Sequence, residues 1–186
     1  MIRESYPWKQ DLLRRKRLIE EYNSFERFEQ NGEEAYTIIE KSIFYSAFII
    51  RKLMDCKVKI SKDVDDYTLN VSLRRPLKKI DITHRWLDEN SHDWENETLT
   101  SVKGRDICNW LIHSYVFSIV GNELLPCSCF CVSSDTNRND GLYTVSIDDW
   151  VKYMDFVGTD DVVELEFRYD SKLKENICIR KVRSGV

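Results

Sequence analysis

The segment RDICNWLIHSYVF, residues 105–117, sets Arg105, Asp106, Asn109 and His113 into an otherwise apolar run. Residues three, four and seven apart share one face of a helix, so Asp106, Asn109 and His113 line up, with Arg105 at their margin. These side-chain types can do chemistry together. A histidine titrates near neutrality and passes protons in either direction. A guanidinium beside it steadies charge on a phosphate, and an asparagine orients the attacking group. Such a set could cleave RNA without metal by activating a 2′-hydroxyl. The alternative is a packed seam, in which Asn109 and His113 bond backbone groups inside the fold while Arg105 and Asp106 sit in the first turn near solvent.

Other constellations carry less chemistry. Cys127, Cys129 and Cys131 alternate, and in an extended strand they would line one side, where small thiols pack well. Structural zinc sites space paired ligands by two to four residues and need a second pair, so no metal is expected. The cluster Ser133-Ser134-Asp135 with Asn137-Arg138-Asn139-Asp140 is what an exposed turn prefers, although it could also hold a small polar ligand. His84 and His92 flank Trp86 without the spacing of a helical metal pair. Phosphate loops, nucleophile elbows and dinucleotide fingerprints are missing from the sequence, so no cofactor is expected.

The elements that must position these residues follow from periodicity. Trp8 to about Phe28 is helical, with Leu12, Leu18, Tyr22, Phe25 and Phe28 as its apolar stripe, and Asn31-Gly32 ends it. A second helix runs from about Glu33 to Cys56, apolar on more than one face. YTLNVSL (67–73) alternates as a short strand that Pro76 ends, and 74–97 is expected as an irregular loop anchored by Trp86 and Trp94. A third helix is predicted from near 98–104 to Val120. CSCFCV and LYTVSI then form a hairpin, Asp148 caps the helix DDWVKYMDFV, and VVELEFRY pairs with ICIRKV. The predicted class is α+β: a bundle of about three helices (1–122), then a small β-β-α-β-β antiparallel unit (123–186), packed as one body.

Composition bounds the function. Five tryptophans, nine tyrosines and eight phenylalanines supply a core for 186 residues. The net charge of -4 argues against a general nucleic-acid binder. Basic runs (Arg14–Arg17; Arg74, Arg75, Lys78, Lys79) and the acidic stretch 88–97 read as solvated faces. The most apolar stretch, 38–54, is interrupted by Glu40, Lys41, Arg51 and Lys52, which suits a buried helix and no membrane span. MIRESYPWKQ lacks the apolar core of a signal peptide, so a cytoplasmic protein with reduced thiols is expected.

AYTIIEKSIFYSAFIIRKLMD (35–55) together with CNWLIHSY (108–115) resembles the HEPN-like helical domains of prokaryotic toxin and defence systems. It is also similar to a group of small bacterial proteins that share an I-H-S-Y-x-F core followed by a β-rich tail. The resemblance covers roughly the first two-thirds of the chain. HEPN ribonucleases carry an arginine, a polar residue, and a histidine after four to six intervening residues, usually as two motifs meeting across a dimer. Here seven residues separate Arg105 from His113, and each extra residue turns a helical side chain by about 100°. The resemblance implies the helical fold and His113 as its candidate; Asn109, Arg105 and Asp106 are candidates from the helical row itself. The expected function is a bacterial non-catalytic interaction or assembly module, in a toxin or defence system, working as a homo-oligomer or with a protein partner. The alternative is a metal-independent ribonuclease acting on RNA through His113.

Overall fold

The computed structural model describes residues 2–56, 58–81, 83 and 87–184. Pro7 opens helix α1 (Tyr6–Tyr22), where its fixed φ and missing N–H cost nothing. Leu12 and Ile19 bury its inner face. The helix stops six residues earlier than the predicted Phe28, because Ser24 adopts an extended backbone and its side chain accepts from Arg27 N at 3.3 Å, capping the next helix. Helix α2 (Phe25–Asp55) is kinked at Asn31, which takes φ -159° and ψ 87°. Asn31-Gly32 thus bends the chain without ending it: the Asn31 side chain accepts from Glu34 N at 3.2 Å and recaps the helix at once. Ala35, Ile39, Ile43, Ala47, Ile50 and Leu53 then form a buried stripe at helical spacing.

A short helix, α3 (Lys62–Asp66), leads into strand β1 (Thr68–Pro76). The chain then forms β2 (His92–Lys103), α4 (Gly104–Ile112), β3 (Ser114–Val120), β4 (Cys129–Ser134) and β5 (Leu142–Ser146). These strands make one antiparallel sheet in the order β2-β1-β5-β4-β3. Two expectations are corrected here. Residues 92–97 belong to a strand, since β2 pairs with β1 from Arg74↔Glu97 to Thr68↔Lys103 and Pro76 faces His92 across a bulge. The helix expected to reach Val120 ends at Ile112, and SYVFSIV is a strand held by β4, with Phe117 opposite Val132 and Ile119 opposite Phe130. A short apolar run fits either period, and cross-strand pairing decides between them.

Helix α5 (Ile147–Gly158) follows, capped by Ser146, whose hydroxyl accepts from Asp149 N, and not by Asp148. Strands β6 (Val162–Asp170) and β7 (Glu175–Arg183) close the chain as a separate two-stranded ribbon. The architecture is a helical N-terminal region followed by antiparallel sheets, as the α+β reading requires. The finer β-β-α-β-β unit differs in its pairing. Its first two strands join the large sheet beside β1 and β3, so that sheet takes strands from both sides of residue 122.

One face of the sheet packs on the helices through Val71, Phe130, Val132 and Val145, with Trp150 and Tyr153 of α5 fully buried. Trp150 donates to Ser46 of α2 at 3.0 Å. Asn23 ties the α1–α2 turn to the entry of β4, donating to Cys127 O at 2.7 Å and accepting from Cys127 N at 3.0 Å. Among the described residues no helix is long and apolar enough to cross a membrane.

Candidate functional site

Helix α4 begins where Gly104 passes the ring of Tyr153 so closely that a Cβ there would overlap the phenol. That approach, and Ile107, Cys108 and Leu111 buried beneath, fix which face of α4 turns outward. The outward face carries the four polar residues. Asp106 and His113 are exposed; Arg105 and Asn109 are half-buried. The row is therefore not sealed inside the fold.

Its members divide between two tasks. Asn109 Oδ1 accepts from Arg51 Nε of α2 at 2.9 Å. Arg51 also pairs with Asp55 one turn on, and Asp55 takes Arg105 Nη2 at 3.5 Å. Asp55 thus joins both guanidiniums and ties α2 to α4. The other two residues face open space. His113 forms the C-cap of α4, with φ -108° and ψ 30°, and its carbonyl accepts from Asp135 N at 3.2 Å.

Two clefts meet at Asn109 and His113. The first, of about 330 Å³, is lined by Asp106, Asn109, Trp110, His113 and the β4–β5 turn at Ser134, Asp135 and Thr136. The second, of about 220 Å³, adds Phe48, Arg51, Lys52, Asp55 and Ile112. Trp110 is held in place by stacking on Tyr143, with ring centroids 4.0 Å apart. The structure brings Asp106, Asn109 and His113 to one rim, whereas Arg105 lines neither of these clefts and is turned toward Asp55. Arg51 and Asp55 were missed by sequence reasoning. The only signal was an i, i+4 Arg–Asp pair, which any solvated helix can carry.

The remaining candidates resolve differently. The β4–β5 turn is largely self-bonded: Asn137 Oδ1 accepts from Ser134 N at 2.6 Å and from Ser134 Oγ at 2.8 Å. Asn139 Oδ1 accepts from Ile80 N at 2.8 Å, and Arg138 Nε donates to Ile80 O at 3.1 Å, so the turn clamps the segment after β1. Trp94, in β2, ties that strand to the segment before it by donating to Asp88 O at 3.1 Å. His92 is buried, Ser91 Oγ lies 3.0 Å from its Nδ1, and burial lowers its pKa from the ordinary 6.5. His84 and Trp86 lie outside the described residues.

The three alternating cysteines do not share one side. Cys127 precedes β4 and joins the helix-side core, while Cys129 and Cys131 lie on the opposite face of the sheet from Phe130. Cys108 is fully enclosed, and burial pushes its thiol well up. Among the described residues no group of three or more histidines, cysteines and carboxylates could hold a metal ion.

Comparison with protein-family models, with curated proteins and with solved structures gives no match to this chain.

Proposed function

We propose that this chain is a non-catalytic interaction module that self-associates through the β6–β7 ribbon. The observation that carries the reading is the apolar row on that ribbon. Val163, Leu165, Phe167 and Tyr169 alternate with Glu164, Glu166 and Arg168, and Phe167 and Tyr169 remain 51% and 61% exposed. An isolated two-stranded ribbon is marginal in water, and an unpaired edge is a template for another strand. β7 is the strand nearer the body, through Lys181 to Asp65 at 3.0 Å and Arg183 to Asp160 at 3.6 Å. The outer edge of β6 carries no strand among the described residues. Two β6 edges set antiparallel about Glu166 oppose Leu165 to Phe167 and Glu164 to Arg168, and Glu166 meets its own copy, while the bulge between Val162 and Glu164 takes Val163 out of the ladder.

Light scattering across a concentration series tests this, comparing the native chain with the Phe167→Ser, Tyr169→Ser variant. The reading expects a concentration-dependent dimer that the variant loses while its melting temperature holds. A native chain that stays monomeric throughout, and captures no protein partner by affinity, sinks it.

One observation favours a second reading, a HEPN-like metal-independent ribonuclease using His113. His113 is exposed where two clefts meet, beside Asn109 and Asp106. That reading expects RNA cleavage that survives EDTA and vanishes in His113→Ala with the fold retained. Intact RNA after long incubation with the native chain would end it.

A further inference from the structure

The face of the five-stranded sheet turned away from the helices holds a cluster that neither reading uses. Cys129 and Cys131 are two apart on β4, so both side chains leave the strand on this face. Cys129 is half-buried and reachable, while Cys131 is 4% exposed. Thr144 lies directly across from Cys131 in β5, and its Oγ1 is 3.5 Å from the Cys131 sulfur. Arg74 of β1 reaches over the same face, donating to Thr144 Oγ1 at 2.9 Å and to Glu97 at 2.5 Å. Its Nε is buried with no hydrogen-bond partner among the described residues. The neighbouring Cys131 thiol first, and then the Arg74 charge, hold Cys129 below the ordinary thiol range against the effect of burial. Cys131, beside Cys129 and more deeply buried, is held above it.

We propose that Cys129 and Cys131 form a reactive dithiol that a hydroperoxide converts to an intrastrand disulfide. The Cys129 thiolate attacks the peroxide oxygen and the O–O bond breaks. The alcohol, or water, leaves with a solvent proton, and Cys129 becomes a sulfenic acid. The Cys131 sulfur then attacks that sulfur, the S–S bond forms, and hydroxide departs with the Cys131 proton as water. Two electrons pass from the sulfur pair to the peroxide. Residues two apart in a strand have Cα atoms about 6.6 Å apart, within the upper end of the roughly 4.4–6.8 Å that disulfides span. Side chains two apart stand parallel, so the Cβ atoms start about as far apart as the Cα atoms, beyond the roughly 3.5–4.5 Å of a disulfide. The bond therefore closes only as β4 puckers at Phe130 and loosens its pairing to β3 and β5, which makes it strained and readily reduced. The other thiols lack this arrangement: Cys56, Cys108 and Cys127 are buried, and Cys178 donates to Arg180 O at 3.3 Å far along the ribbon.

The experiment exposes the full chain to hydrogen peroxide, blocks remaining thiols after denaturation, and maps the products by mass spectrometry. The expected product is a monomer with an internal Cys129–Cys131 bond, formed at least about tenfold faster than any change at Cys178. Cys131→Ser should stop at a sulfenic acid on Cys129 that dimedone captures, and Cys129→Ser should leave Cys131 reduced. Phenylarsine oxide, added to the unmodified chain, should bind once and shield both thiols, a readout that needs no variant to fold. Oxidation no faster at Cys129 than at Cys178, a bond joining other cysteines, or failure of phenylarsine oxide to shield the pair would overturn the proposal.

Discussion

Asp55 accepts Arg51 and Arg105 together, and Arg51 reaches on to Asn109 at 2.9 Å, so a single carboxylate joins the end of α2 to the start of α4. The pairs are half-exposed, and solvent screening keeps each contribution small. Asn109→Ala should cost about 1 kcal/mol, because it strips one acceptor from a charged donor that water can still reach. Thermal melts of this variant and of Arg51→Ala should show comparable losses, with the double variant falling short of their sum. Full additivity would mean that the network is not coupled. His92 acts differently. Burial lowers its folded pKa from 6.5, so between the two values the unfolded chain binds the extra proton and stability falls as pH drops below about 6.5. Denaturation curves between about pH 7.5 and 5.5 should show that loss. His92→Gln should reduce the slope, and an unchanged slope would assign it to other groups. The candidate row on α4 was legible in the sequence as a row, since i, i+3 and i+7 spacing is a property of any helix. Its partners on α2 were not, because nothing in RKLMD distinguishes a pair that reaches another helix from one that stays on its own.

At the scale of elements, the helices α1, α2 and α5 and the strand β1 were legible because each buries one face, and both later hairpins because apolar strands flank turn residues, although β6 and β7 bury no face. The misread elements, β2 and β3, offer neither a single buried face nor a readable alternation. Strand β2 is an edge strand whose residues from Glu95 to Ser101 are almost all exposed, so WENETLTS carries no alternation to read. Strand β3 is apolar on both sides: Phe117 and Ile119 pack on the helix-side core while Val116 packs with Cys131 and Leu142 on the other face. A run apolar on both sides is indistinguishable from one side of a buried helix until its partner strand is known. The turn from β2 into α4 rests on Gly104, which fits beneath Tyr153 only without a side chain. Gly104→Ala should destabilise by about 1–3 kcal/mol through overpacking, despite alanine's better helix propensity. Pairing it with Tyr153→Leu, which removes the crowding phenol, should recover part of that loss; no recovery would place the strain elsewhere.

For the molecule as a whole, Asp160 is the point where separate parts are joined. Its buried carboxylate accepts from Ser61 N at 2.8 Å, lies 4.0 Å from Lys9 of α1, and meets Arg183 of the ribbon at 3.6 Å. The Arg183 guanidinium also lies over Phe156 at 4.0 Å. The base of the ribbon is therefore fixed to the helical body, while the apolar row from Phe167 to Tyr169 stands clear of it. Association through that row is the central claim, and amide hydrogen exchange at low and high protein concentration tests it most directly. The account predicts fast exchange along the outer edge of β6 when dilute, and slowed exchange there at high concentration, with β1 and β5 unchanged. Equal, fast exchange at both concentrations would contradict it.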